Sequence, residues 1–199
     1  MSDFAKLNSF DLEPLQKEFS TNTPFQHIVL QNFFIQSKLK NVLSAFLKLN
    51  FHEKNSDLFQ FSQSKDFKSI TDPIIKSFYD FFQSREFLQF ISQLTKTKVT
   101  AIDMSGFIYK STDYLLPHDD QLEGRKIAYI VNLSDFNGKD GGALGLFETE
   151  NNHPTCVVQR YPPQFNSFVL FKVTPQSFHH VQEVISNKQR CTITGWFHG

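Results

Sequence analysis

Residues 114–120 have the sequence Tyr-Leu-Leu-Pro-His-Asp-Asp, which places a His-x-Asp pair in an apolar, strand-like run. Side chains two positions apart on a β-strand point to the same face. His118 and Asp120 can therefore direct an imidazole nitrogen and a carboxylate oxygen to one point, while Asp119 faces away. One further histidine would complete a two-histidine, one-carboxylate set, which is typical of non-haem Fe(II) sites. Alone, the pair is weak evidence, because a turn with two solvated acids has the same sequence.

The composition excludes several classes of protein. The chain has 199 residues, 20 basic and 20 acidic side chains, and a formal net charge of zero. With this balance of charges, the protein has no net positive electrostatic potential that would attract nucleic acid or an anionic membrane. No apolar run approaches the roughly 18 residues of a membrane span. We therefore expect one domain over residues 1–199, with no direct binding of nucleic acid or of a membrane.

The cysteines and the first residues indicate the cellular compartment. Cys156 and Cys191 are too few for a disulfide framework, and we expect both to be small buried residues of strands. The start of the chain lacks the basic and then apolar regions of a secretory signal. The sequence thus predicts a soluble protein of a reducing compartment, in the cytoplasm, the nucleus or both.

The first half of the chain, residues 1–98, is predicted to be mainly helical support with early strands. Apolar residues recur at loosely helical spacing over residues 2–20, where Pro14 could break the helix. Residues 24–30 alternate as a strand does, and residues 51–64 have strand and loop character.

Three further helices have start signals. Ser37 is the expected N-cap of one helix, Asp72-Pro73 opens another with proline in its first turn, and Ser84 opens the last. Each carries an apolar stripe at helical spacing, which predicts a packed core and not a cofactor site.

From about residue 99 onward, short strand-like runs follow one another. Eight such runs in about 100 residues are what a double-sheet jelly roll needs. Helices first and strands second predict an α+β domain, in which a double-stranded β-helix (jelly roll, cupin-like) occupies residues 99–199 and the N-terminal helices pack on one sheet. The loop 135–142 and the region 52–66 are expected to flank the mouth of the barrel. The runs are 99–109, 114–119, 126–133, 143–148, 154–161, 167–173, 178–185 and 190–197.

The late strands supply further polar residues. Adjacent histidines, His179 and His180, follow His118 by about 60 residues and face opposite ways, so at most one can point into a barrel. The terminal strand begins at Arg190 and carries a polar stripe on one face, an unusual feature for a core strand. The stripe consists of Arg190, Thr192, Thr194 and Trp196.

An arginine at the floor of a barrel is costly unless it pairs with an anion. A dicarboxylic co-substrate would provide one, because the planar guanidinium binds a carboxylate through two parallel hydrogen bonds. A 2-oxo acid could chelate the metal at one end and place its far carboxylate on Arg190.

These motifs together resemble the 2-oxoglutarate/Fe(II)-dependent prolyl hydroxylases, and most closely the ribosomal prolyl 3-hydroxylases, from about Pro24 to the last residue. The resemblance implies prolyl 3-hydroxylation of a small-subunit ribosomal protein at the decoding centre. The segments that carry it are 53–58 (EKNSDL), 102–105 (IDMS), 118–128 (HDDQLEGRKIA), 177–179 (SFH) and 195–199 (GWFHG).

The resemblance also implies roles for individual residues. The metal ligands would be His118, Asp120 and His179, since the family pattern His-x-Val fits His179 and not His180. Arg190 would anchor the co-substrate. The implied cofactor and co-substrates are Fe(II), 2-oxoglutarate and O2, with ascorbate as a stimulant.

Further residues are implied in the pocket. Tyr109 matches a family tyrosine near the co-substrate, although a buried core tyrosine is an equally good interpretation. Leu133 and Trp196 would line the pocket. Asn132 stands where relatives commonly have a tyrosine that helps to hold the far carboxylate, and it could donate through its amide with shorter reach. Arg125 is expected to contact its own loop, with a grip on substrate peptide as the alternative.

Two points stay open in the sequence. Described relatives carry a second, non-catalytic jelly roll, which bears on substrate choice. The alternatives to a prolyl 3-hydroxylase are a prolyl 4-hydroxylase, another protein or amino-acid oxygenase of this fold, and a non-catalytic jelly-roll binding module. The oligomeric state is not predicted.

Overall fold

The computed structural model describes residues 4–199, and its helices lie in the first half of the chain. Single 3₁₀ turns cover Leu7–Ser9 and Phe67–Ser69. The α-helices are α1 (Leu12–Thr21), α2 (Gln36–Phe46), α3 (Pro73–Phe82) and α4 (Arg85–Thr95).

Two of the helix starts follow the predicted chemistry. The Asp72 carboxylate accepts hydrogen bonds from the backbone N–H groups of Ile74 and Ile75 at 2.9 and 3.1 Å, and Pro73 begins α3. Ser84 caps α4 by accepting from Phe87 N–H at 3.2 Å. Each such cap contributes about 1 kcal/mol.

Three local predictions need correction. Ser37 is not an N-cap, because α2 begins one residue earlier, after Ile35, without a side-chain cap. Within the predicted helix 2–20, whose first two residues lie outside the described part, Pro14 sits harmlessly in the first turn of α1. Cys156 is exposed, because its strand lies at the edge of the sheet; Cys191 is buried as expected.

Three strands lie among the helices in the first half of the chain, and the other strands follow from residue 101 onward. In order they are β1 (His27–Leu30), β2 (Phe51–Ser56), β3 (Phe59–Ser64), β4 (Ala101–Ile102), β5 (Ser105–Tyr109), β6 (Tyr114–His118), β7 (Arg125–Asn132), β8 (Leu144–Glu150), β9 (His153–Tyr161), β10 (Phe168–Lys172), β11 (His179–Val181) and β12 (Arg190–His198).

The strands form one curled antiparallel sheet. Ten of them follow the order β1-β10-β7-β12-β5-β3-β6-β11-β8-β9, while β2 pairs with β3 and β4 pairs with β12. The first five of these strands make a major sheet and the last four a minor sheet. β3 links them, since it pairs with β5 on one side and β6 on the other. The double-stranded β-helix and the α+β class are confirmed.

The helices cover the outer face of the major sheet through a phenylalanine-rich core. Phe82 of α3 is fully buried, and its ring centroid lies 4.6 Å from that of Phe87 and 5.1 Å from that of Tyr129 on β7. Phe168 of β10 and Phe197 of β12 pack in the same cluster. This core leaves the opposite face of the major sheet free to line a cavity.

No helix within residues 4–199 is long and apolar enough to cross a membrane.

Candidate metal centre and co-substrate pocket

His118, Asp120 and His179 meet at the open end of the minor sheet. His118 ends β6 and His179 begins β11, and the two are direct partners in the antiparallel pairing. Their ring centroids are 4.1 Å apart. The candidate ligand atoms of the three residues all lie within 4.8 Å of one another.

Both imidazoles have their Nε2 atoms turned toward the carboxylate. His118 Nε2 lies 3.4 Å from Asp120 Oδ1, and His179 Nε2 lies 3.3 Å from Asp120 Oδ2. The Nδ1 atoms lie 2.9 Å from the backbone oxygens of Leu116 and Ser177. A carbonyl oxygen can only accept, so each Nδ1 carries a proton, and each Nε2 is the ring nitrogen that faces the carboxylate.

The carboxylate of Asp120 is held ionised. Burial raises its pKa, but the imidazoles of His179 and His118 outweigh burial and hold the pKa well below its usual range. For His118, burial lowers the pKa, and the hydrogen bond and charge of Asp120 outweigh burial and raise it. A metal cation at this point would bind the Nε2 atoms in place of protons.

The donor set fits Fe(II). Two imidazole nitrogens and one carboxylate oxygen form the facial set of non-haem iron sites and leave other positions open. The Nδ1–H bonds to backbone carbonyls fix the ring orientation, as second partners of metal-binding histidines commonly do.

The convergence has a different cause from the predicted one. β6 ends at His118, so Asp120 is not on the strand; it has φ of 61°, in the left-handed region. A turn, and not strand parity, aims its carboxylate back at His118. The Asp119 carboxylate accepts from the backbone N–H of Gln121 at 3.1 Å and from its amide at 2.9 Å, which stabilises that turn.

His180 points to the other face of the minor sheet. Its ring packs against Phe147 at 5.0 Å between centroids and lies over Gly145. The choice of His179 over His180 thus agrees with the side-chain directions.

An apolar cavity of about 360 Å³ leads from the metal-binding group to Arg190. The β2–β3 hairpin contributes Leu58, Phe59 and Phe61 to its mouth, as the prediction for region 52–66 stated. The loop 135–142 does not line the cavity. It packs behind the floor, where the left-handed Gly142 would bring a Cβ within 3.3 Å of Arg190 Cδ.

Arg190 is a buried cation without an anionic partner in the described part of the chain. It is 2% exposed, its Nε has no hydrogen-bond partner, and within residues 4–199 no carboxylate lies within ion-pair distance. Its guanidinium carbon lies 5.0 Å from the centroid of the Tyr109 ring. Since a buried unpaired charge is costly, the floor of the cavity is suited to a carboxylate ligand.

Tyr109 lines the cavity and is also a core residue, so both interpretations of it hold in part. It is 3% exposed, and it packs in a small cluster with Phe136, Val181 and Val184. Burial raises its pKa to about 12, so it remains a neutral donor.

Two pocket predictions do not match the positions of the residues. Leu133 packs in the helix-side core and not in the cavity lining. The Asn132 amide nitrogen donates to Ser167 Oγ at 2.8 Å, while Ser167 donates to the Gln164 carbonyl oxygen. The amide N–H is thus used inside the protein, and the buried Asn132 Oδ1 has no partner.

Trp196 and Arg190 line the cavity as predicted, together with Thr194, because alternate residues of β12 face it. Thr192 shares their face, is fully buried, and has an unpartnered hydroxyl. Arg125 contacts its loop as expected, through the Asp120 backbone oxygen at 3.4 Å. No sequence pattern predicts that the Arg125 guanidinium stacks on the Trp196 ring.

Comparisons with known proteins agree with this geometry. Residues 104–198 match the family model of the 2OG-Fe(II) oxygenase superfamily. A prolyl 3-hydroxylase OGFOD1 from Xenopus laevis is 40% identical over 184 residues, which cover 89% of this chain and 36% of the relative. The protein of the same name from Mus musculus is 41% identical over 182 residues, covering 88% and 33%. The chain thus spans about a third of the length of these relatives.

Among solved structures, a prolyl-4-hydroxylase from Pseudomonas putida superposes with a TM-score of 0.77 at 13% identity, covering 94% of this chain and 98% of that one. At this identity the likeness shows a shared fold. Residues 104–198, which include His118, Asp120 and His179, match the 2OG-Fe(II) oxygenase superfamily, and over most of its length the chain is similar to curated prolyl 3-hydroxylases.

Proposed function

We propose that this protein is an Fe(II)- and 2-oxoglutarate-dependent prolyl hydroxylase that forms 3-hydroxyproline in a small-subunit ribosomal protein. One observation carries the catalytic part of the proposal. Two histidines and an aspartate converge at one end of a cavity whose other end holds a buried, unpaired arginine. That arrangement matches a ligand with a chelating end and a distant carboxylate.

When bound, the iron with 2-oxoglutarate and O2 supplies oxidative decarboxylation to succinate and CO2 and adds one oxygen atom to a C–H bond of the prolyl ring. His118, Asp120 and His179 would hold the metal. Arg190 would hold the far carboxylate in a bidentate pair, and the neutral Tyr109 hydroxyl can donate to the same ligand. The apolar cavity wall excludes water from the reacting atoms.

The prolyl substrate and the 3-position are supported by the names of the curated relatives, which are prolyl 3-hydroxylases. The ribosomal substrate rests on the resemblance of motifs such as HDDQLEGRKIA and GWFHG. Such a substrate is made in the cytoplasm and assembled in the nucleus, so we propose those locations for the enzyme. The chain spans about a third of the length of these relatives, so the test of substrate selection uses the purified chain itself.

The test measures succinate formation and peptide hydroxylation by the purified chain with Fe(II), 2-oxoglutarate, ascorbate and proline-containing peptides of small-subunit ribosomal proteins. We expect a mass gain of one oxygen atom on a single proline, and NMR of the product to identify 3-hydroxyproline. The double variant His118→Ala/Asp120→Ala should abolish succinate formation, whereas His153→Ala, an exposed histidine on β9, should not change it.

The rival functions give different results in this experiment. A prolyl 4-hydroxylase would yield the 4-isomer, and an oxygenase with another substrate would turn over 2-oxoglutarate without modifying these peptides. A non-catalytic binding module would form no succinate. Succinate formation that persists in the double variant would contradict the assigned metal ligands.

A further inference from the structure

Arg125 lies between the chain's single tryptophan and the aspartate of the metal-binding group. Its guanidinium carbon is 3.3 Å from the centroid of the Trp196 ring. On the other side, Nη1 donates to the Asp120 backbone oxygen at 3.4 Å and lies 3.9 Å from Asp120 Oδ1. We refer to the stack of Trp196, Arg125 and Asp120 as the arginine clamp.

The clamp contacts Asp120 where its backbone is least favourable. Asp120 has a φ of 61°, in the left-handed region, where a residue with a Cβ is sterically disfavoured. The carboxylate reaches both imidazoles only because the chain turns back here. Arg125 donates to the Asp120 backbone oxygen from outside this turn. Ser177 Oγ lies 3.2 Å from the Asp119 backbone oxygen, but the Thr174 carbonyl oxygen, at 2.8 Å, is the nearer acceptor for its one proton.

The clamp is expected to affect metal affinity more than it affects folding. An ion pair at 3.9 Å with a partly exposed arginine contributes little to the free energy of folding. Residues that orient metal ligands, by contrast, typically change metal affinity about 10–100-fold. Within residues 4–199, Asp120 is also the single carboxylate within ion-pair distance of Arg125, so the arginine has no competing partner.

We propose that Arg125 is a positioning residue: held flat against Trp196, it keeps Asp120 in the turn that aims its carboxylate between His118 and His179. The inference rests on the metal role of Asp120 in the proposed function. Lysine is not an equivalent replacement, because its ammonium group is a point charge that neither stacks as a plane nor presents a fixed fork of donors.

The experiment measures the affinity of the full chain for Mn(II) by calorimetry, without 2-oxoglutarate or peptide. We expect Arg125→Gln and Arg125→Lys each to raise the dissociation constant about tenfold or more, while the thermal unfolding midpoint stays near that of the wild type. The matched controls are Arg85→Gln and Arg85→Lys, at the exposed start of α4, which should bind Mn(II) as the wild type does.

A double-variant cycle tests the part played by tryptophan. Trp196→Leu should weaken Mn(II) binding, and adding Arg125→Gln to it should weaken binding little further, because both changes release the same clamp. Additive losses would overturn the joint action of the two residues. Unchanged affinity in the Arg125 variants, with normal binding by the wild type, would overturn the inference alone. A wild-type chain that does not bind Mn(II) would overturn the proposed function as well.

Discussion

The two faces of the major sheet differ in how many of their buried polar side-chain atoms have hydrogen-bond partners. Toward the helices, Tyr129, Phe168 and Phe197 are fully buried in a phenylalanine cluster, and the Tyr129 hydroxyl donates to the Asp103 backbone oxygen at 2.8 Å. Toward the cavity, the same strands bury Arg190 Nε and Thr192 Oγ1 without partners. The first face supplies stability, and the second retains unsatisfied groups that a ligand can use.

The largest expected change in stability comes from the helix side. Phe82→Ala should lower the free energy of unfolding by about 3–5 kcal/mol, because it removes a fully buried ring and leaves a cavity. Denaturant titration followed by circular dichroism measures this loss. The control is Phe59→Ala at the cavity mouth, where the ring is only partly buried; an equal loss there would contradict the contrast between the faces.

On the cavity side, we expect a substitution that raises the free energy of unfolding. Arg190→Met should raise the free energy of unfolding by about 1–4 kcal/mol, because it removes a buried charge that lacks a partner. It should also weaken 2-oxoglutarate binding by about 2–5 kcal/mol, or roughly thirtyfold and more. Trp196 is the only tryptophan and lines the cavity, so its fluorescence reports the titration directly.

Arg85→Met, at an exposed site, is the matched control and should change neither quantity. If Arg190→Met lowers the free energy of unfolding and leaves the affinity for 2-oxoglutarate unchanged, Arg190 stabilises the fold and does not bind the co-substrate.

The smallest expected effect concerns His27, a buried histidine on β1. Its Nδ1–H donates to the Phe25 carbonyl oxygen and its Nε2 accepts from the Tyr161 hydroxyl, both at 2.8 Å. Burial lowers its pKa below 6.5, against the opposing effects of Phe25 and Glu18. The unfolded chain therefore binds the proton first as pH falls below about 6.5, and stability present above that pH is lost.

The loss from this one group cannot exceed about 1.4 kcal/mol per pH unit. The free energy of unfolding of the wild type and of His27→Gln, measured between about pH 5 and 7.5, gives the contribution of His27. The free energy of the variant should depend less steeply on pH. The matched control is His52→Gln, at an exposed position on β2. Parallel curves for His27→Gln and the wild type would show that His27 does not couple to folding.

Local signals predicted much of this molecule because they depend on near neighbours. The caps at Asp72 and Ser84 need only the next three residues, and the alternation along β12 needs only strand geometry. The polar stripe that begins at Arg190 therefore emerged correctly. Leu133 was placed wrongly, although strand alternation puts it on the helix side with Tyr129 and Val131. The contact of Asn132 could not be predicted locally, because Ser167 comes from a distant turn.

By itself the sequence determined the metal-binding residue types, the succession of helices and strands, and an arginine on the cavity face of the terminal strand. Tertiary structure alone decided that Asp120 reaches the histidines from a left-handed turn, that Arg125 lies flat on Trp196, and that the Asn132 amide is occupied by Ser167. The physical reason is range: caps and strand alternation act between near neighbours, whereas these contacts exist only after distant strands have paired and curled around a common cavity.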